Sequence, residues 1–175
     1  NTYKLHGHML HRLTSAAAAK IVFPLPLKTR LRWVKAMCPI LILHCASTWA
    51  LAGLIWTVQL VLYPQFDRVG REAFPSYHAS HMLRITFVVA PLMLVEIGTV
   101  AWLVTFGGER NPWLLASLPL LALNWIATGL IQVPLHKKLE HDGYDGGVSK
   151  RLTLSNWLRT ASWSLRALLV AMVLL

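Results

Sequence analysis

A helix needs about 20 consecutive apolar residues to cross the ~30 Å hydrocarbon core of a bilayer, and four stretches of this chain, at 39–63, 85–106, 113–133 and 157–175, reach that length. Only 14% of the residues are charged, against about 25% in soluble domains. The pattern predicts an all-α, integral membrane four-helix bundle. Gly107-Gly108-Glu109-Arg110-Asn111-Pro112 is built from turn residues and predicts a short hairpin between helices two and three. The longer polar connections, 64–84 and 134–156, then lie on one side of the membrane and both termini on the other. Asp142-Gly143-Tyr144-Asp145-Gly146-Gly147 reads as a mobile stretch of the second connection; it lacks the alternating carboxylates and distal Glu of a calcium loop.

The net charge of +10 is unevenly placed. Residues 1–36 hold seven basic side chains (Lys4, Arg12, Lys20, Lys28, Arg30, Arg32, Lys35) and no acid. This division separates a basic tail, 1–36, from a four-span domain, 37–175. The tail reads as an organellar targeting segment, a polybasic arm on a lipid surface, or a non-native extension ahead of a natural start at Met37. It has no interleaved aromatic platform, so nucleic acid is not an expected partner. Starting from Met37, the basic excess of the two long connections would place them in the cytoplasm; with the whole tail counted, the two sides nearly balance. Bacterial inner membrane and organellar membrane both fit a multi-pass protein of this kind. Cys38 and Cys45 lie seven residues apart, roughly 10 Å along a helix, too far to form a disulfide.

Ionisable groups inside apolar stretches are costly and usually face a partner or a cavity. Glu96 and Arg166 sit near the middle of the second and fourth stretches. Both lie roughly 13–17 Å deep at 1.5 Å per residue from the same side, so they can meet. Asn124, Thr128, Gln132 and His136 follow one another at intervals of four, a slowly drifting polar ridge on one helical face. Asn156, Arg159, Trp163 and Arg166 form another such ridge. His78 and Glu96 share a face provided that their helix begins early enough.

The densest chemistry is Tyr77-His78-x-x-His81-x-x-Arg84, with His136 on the same side. Two imidazoles at i,i+3 suit one metal or one haem edge, and His78, His81 and His136 are the candidate cofactor ligands, with no particular metal or haem specified. Interfacial hydration is the plainer reading of the same histidines. Glu96, Arg159, Arg166 and Asn156 are the candidate catalytic residues: Glu96 as acid or base, the two arginines as stabilisers of an anionic oxygen, and Asn156 to orient it. His44 is read as belonging to a separate hydrogen bond on the opposite side. Trp113 and Trp157 suit an interfacial belt, while Trp56, Trp125 and Trp163 fall deeper, where they can line a pocket or simply pack.

Two motifs carry a family resemblance over roughly residues 121–166. Gln132-Val133-Pro134-Leu135-His136 and Asn156-Trp157-Leu158-Arg159-Thr160 resemble the small four-helix membrane proteins grouped with the anthrone oxygenases. His136 stands where that family's pattern has an amide. The resemblance implies a four-helix bundle and oxygenation of flat polycyclic phenolics without a well-defined cofactor. A fainter likeness, in His44 and in Arg84 with Pro91, is to the four-helix haem-binding protoporphyrinogen oxidases. The expectation is an oxidoreductase or oxygenase-like protein acting on a hydrophobic substrate, with the lipid bilayer, a hydrophobic small molecule and partner membrane subunits as its partners. The alternatives are a non-catalytic accessory subunit and a small transporter using the Glu96–Arg166 pair.

Overall fold

The computed structural model describes the backbone from Leu27 to Leu175 and the side chains from Pro39 onward. The side chains of the basic tail, and Cys38, lie outside the described residues. The described residues are helical, with no strand among them. The helices are α1 (Leu27–Thr57), α2 (Tyr63–Phe66), α3 (Phe74–Thr105), α4 (Pro112–Ala127), α5 (Val133–Asp142) and α6 (Gly146–Ala171).

α1 continues into α2, and α4 into α5, through a wide π-helical turn at Val58–Leu62 and at Thr128–Gln132. In sequence, no repeat is evident between these arms, yet both turns end immediately before an X-Pro step, Tyr63-Pro64 and Val133-Pro134. Proline has no N–H for the i−4 carbonyl and its ring clashes with that group. The wide turns relieve this: Tyr63 N–H bonds the Val58 carbonyl and Val133 N–H the Thr128 carbonyl, one residue further back than in an α-helix.

Three arms are long and apolar enough to cross a membrane: Pro39–Phe66, Phe74–Thr105 and Pro112–Asp142. The fourth, α6, does not join that set although its stretch reads as a span in sequence. Asn156, Arg159, Thr160, Ser162 and Arg166 lower its hydropathy, and all five are buried.

The connections are shorter than their polarity suggests. α3 begins at Phe74, with Pro75 in its first turn, a position where the missing N–H costs nothing. His78, His81 and Arg84, read as connection residues, therefore stand on helix, and His78 and Glu96 share α3 as buried residues. The stretch read as mobile, Asp142–Gly147, is the end of one helix and the start of the next. Gly143 ends α5 at φ 78°, a conformation that glycine adopts without strain. Asp145 caps α6 by accepting Val148 N–H at 2.9 Å. That hydrogen bond holds the Asp145 carboxyl below its ordinary pKa.

The two connectors are tied together, since Tyr144 Oη and Ser149 Oγ both donate to Asp67 Oδ1 at 2.9 Å. The bond to Asp67 also raises the Tyr144 phenol above its usual pKa. At the other end, Gly108 (φ 65°) reverses the chain between α3 and α4, and Asn111 caps α4 by accepting Trp113 N–H at 2.9 Å. The apolar core lies nearer the Asp67 end, around Phe66, Phe74, Leu139 and Leu152.

Candidate functional site

Many polar side chains of this protein are buried, and many large apolar ones are exposed. His44, Thr48, His78, Glu96, Ser117, Asn124, Asn156 and Arg166 have no solvent exposure, whereas Phe87 and Leu130 are 73% and 74% exposed. Two clusters hold many of the buried polar side chains.

The first is built on the Glu96–Arg166 pair. Arg166 Nε donates to Glu96 Oε1 at 2.8 Å, and Thr48 Oγ1 donates to the same oxygen at 2.9 Å. Trp163 Nε1 approaches Glu96 Oε2 at 3.5 Å. Arg166 Nη1 donates to the Ser117 carbonyl and hydroxyl, both at 2.8 Å. His44, expected to stand apart, completes the cluster. Its Nδ1 lies 2.9 Å from Thr99 Oγ1, whose own proton goes to backbone carbonyls. Nδ1 is then the donor, leaving Nε2 to accept from Arg166 Nη2 at 3.2 Å. Helix depth was legible in the sequence; that α1 turns His44 toward Arg166 was not.

The second cluster is a directed hydrogen-bond chain. Ser155 Oγ donates to the Leu152 carbonyl at 3.1 Å, so it accepts from Gln132 Nε2 at 3.0 Å. Gln132 Oε1 accepts the Tyr63 proton at 3.2 Å. Tyr63 Oη can then only accept from His136 Nε2, at 3.1 Å, and His136 Nδ1 accepts from His78 Nε2, again at 3.1 Å. The order of donors leaves His78 Nδ1, which is buried and has no partner, as an unprotonated acceptor at the head of the chain. His81 stands beside the chain, its ring centroid 6.3 Å from that of His136.

The structure thus brings His78, His81 and His136 together, as their spacing suggested. His78 and His136 face each other through Nε2 and Nδ1 at 3.1 Å, while His81 meets both only through ring contacts. Among the described residues no group of three or more His, Cys, Asp or Glu is placed to hold a metal ion.

Between α1, α3, the α4–α5 arm and α6 lies a cavity of about 480 Å³. Its walls are largely apolar, with Leu51, Ile55, Val58, Ile85, Val89, Met93 and Trp125 among them. Tyr63, His81, Gln132, His136 and Arg159 supply a polar end, and Trp163 a floor shared with the first cluster. Both π-helical turns border it, through Val58 and through Thr128, Gly129 and Gln132. In an α-helix the i+4 ridge Asn124–Thr128–Gln132–His136 overshoots by about 40° per step. The wide turn takes an extra residue and reverses that drift, which keeps Gln132 and His136 on the buried face with Asn124.

Arg159 is held from behind. Its Nη1 donates to Asn156 Oδ1 at 3.1 Å, Asn156 Nδ2 donates to Gln59 Oε1 at 2.8 Å, and Gln59 Nε2 donates to the Thr153 carbonyl at 3.1 Å. The guanidinium lies 5.0 Å from the centre of the Trp163 ring. Of the four candidate catalytic residues, Arg159 therefore lines the cavity and Asn156 positions it. Glu96 and Arg166 do not line it; their bonding capacity is spent on each other and on the first cluster. Tyr63, Gln59 and Gln132 were not singled out as site residues by sequence reasoning, although the Gln132–His136 motif and the X-Pro steps beside them were the available signal. Trp125 and Trp163 line the cavity, while Trp56 packs edge-on against Trp157 at 5.7 Å.

No family model matches this chain, and no curated protein or solved structure matches it.

Proposed function

We propose that this chain is a multi-pass integral membrane four-helix bundle that binds a hydrophobic small molecule in the cavity between its helices and acts on it as an oxidoreductase or oxygenase-like protein. The observation that carries the reading is the cavity itself, apolar along its walls and polar at one end. Ligand sites have this composition, with a few placed polar groups that fix orientation. The many large apolar side chains exposed on the arms, around a buried ion pair, support a lipid setting. π-helical turns recur at functional sites, and both of those described here face the cavity.

The residues at the polar end suit proton movement and charge stabilisation on a substrate oxygen. His136 and Tyr63 form the cavity-facing part of the relay, which continues to the buried acceptor His78 Nδ1. Arg159 supplies fixed positive charge for an oxygen that becomes anionic. The short motif likeness to the anthrone oxygenases agrees with a flat, oxygen-bearing substrate. A transport role for the Glu96–Arg166 pair gains nothing from the geometry, because neither side chain reaches the cavity.

The cavity is tested with 1-pyrenebutanol, a flat neutral probe, and the full chain in lipid nanodiscs. Saturable one-to-one energy transfer from tryptophan to pyrene is expected above the background of lipid partitioning. Ala90→Trp, which fills the cavity from α3, should weaken that component at least about tenfold while leaving the melting temperature near its starting value; Thr86→Trp serves if that variant does not fold. Non-saturable transfer, or equal binding by a folded variant with the cavity filled, would refute the reading. Membrane topology is tested separately. In a background without the native cysteines, single cysteines at residues 70 and 147 should be labelled from one side of the membrane and a cysteine at 108 from the other. Labelling of 70 and 147 from opposite sides would end the bundle reading.

A further inference from the structure

Arg159 is 6% exposed, and among the described residues no carboxylate pairs with it; the ion pairs present are Arg166–Glu96 and His141–Asp142. A buried cation without a counter-charge is expensive, and this one borders a cavity. Its Nε–H has no acceptor, and neither has the Nε1–H of Trp125, which lines the same cavity. Both are groups that can only donate. Tyr63 interacts with the Arg159 guanidinium, but Nε–H itself finds no acceptor, and the unpartnered acceptors His78 Nδ1 and Asn124 Oδ1 bond neither N–H.

Building on the proposed ligand site, we infer that its natural ligand is a hydrophobic monoanion, whose negatively charged oxygen takes the unused hydrogen bonds of Arg159 and Trp125 while its apolar body fills the space along α3. A neutral alcohol would leave the cation uncompensated, and a ligand with only donor groups would meet two donors head-on. The shared chemistry is an anionic oxygen on an apolar body, and it has two sources: an aliphatic carboxylate, or the phenolate of a flat aromatic. Neither N–H is open to a water-sized sphere, so the headgroup reaches them as the two side chains part around it. The Gln59–Asn156 brace keeps the guanidinium from turning away.

The test compares 1-pyrenebutyrate with 1-pyrenebutanol, which share a body and differ in charge, on the wild-type chain and on Arg159→Met in nanodiscs. Taking the ratio of ratios cancels lipid partitioning. One charge-assisted hydrogen bond to a buried cation corresponds to about tenfold or more in affinity. The preference for the anion should therefore fall at least about tenfold in Arg159→Met and be largely kept in Arg159→Lys. Trp125→Phe, which removes one neutral donor, should cost about threefold on the anion and little on the alcohol; this variant carries the test if Arg159→Met does not fold. Without any probe, Arg159→Met should melt no lower than wild type, since it removes an uncompensated charge, whereas a purely structural arginine would lower it. The same comparison with 1-hydroxypyrene separates the sources. Arg159-dependent binding with a phenolate absorption band at neutral pH identifies the phenolic class, and binding of the butyrate alone identifies the carboxylate. Equal preference in wild type and Arg159→Met would overturn the inference and leave the cavity standing. If no pyrene probe binds at all, the cavity reading fails, and the inference fails with it.

Discussion

Glu96→Gln or Arg166→Met alone should destabilise the protein by about 3–5 kcal/mol, the usual cost of stranding one member of a buried ion pair, while the double variant should lose much less than the sum. The two side chains are both wholly enclosed and meet at 2.8 Å. Removing Glu96 would leave Arg166 with the Ser117 oxygens and His44 but no counter-charge. Removing Arg166 would leave the carboxylate with Thr48 and Trp163, two neutral donors. Thermal unfolding of the four proteins in one detergent closes the cycle, and the coupling should reach the 0.5–3 kcal/mol expected for residues in one network, at its upper end. Additive losses would mean that the pair is not formed in the folded protein. Because neither residue borders the cavity, binding of a cavity probe by the double variant should stay close to wild type.

Phe66→Ala should be comparably damaging, at about 3–5 kcal/mol. The ring has no exposure and sits among six others, with centroids 5.2 Å from His81, 5.6 Å from Tyr63 and His78, 5.9 Å from Phe74, 6.1 Å from Tyr77 and 6.4 Å from His136. These contacts hold the end of α2 against the start of α3 and space the histidine rings. Truncation would open a void under His78, His81 and His136 as well as removing apolar contact. Phe66→Leu keeps most of the volume and should cost less than about 1.5 kcal/mol. A Phe66→Ala protein melting within a degree of wild type would show that this aromatic cluster does not hold the helix ends together.

The residues that were legible in the sequence share one property: their signal is local. Three apolar arms of spanning length and the turn residues at 107–112 come from composition and short spacing. The meeting of Glu96 with Arg166 followed from equal depth, which is a count of residues along two helices. The clustering of His78, His81 and His136 followed from i,i+3 spacing and from a shared end of the molecule. The early start of α3 was signalled by Pro75, and that of α6 by Asp145 ahead of two glycines. Both were obscured by the polarity of the flanking residues, which resembles that of a loop.

What the sequence determined by itself was the helical class, the approximate extent of the apolar arms, and the fact that several ionisable groups must be buried among them. Tertiary structure decided which of those groups are spent and which are left over. Spacing fixes a residue's angle about its own helix but not the rotation of that helix against its neighbours, so nothing local could show that His44 turns toward Arg166 or that Asn156 bonds Gln59. Much of the pairing also runs to backbone carbonyls, of Ser117 and Thr153 among others, which leave no mark in a pattern of side chains. The wide turns at Val58–Leu62 and Thr128–Gln132 shift the register in the middle of two arms and redirect the faces beyond them. Only the assembled helices separate an arginine whose hydrogen bonds are taken up within its cluster, Arg166, from one that borders a cavity with a proton unused, Arg159.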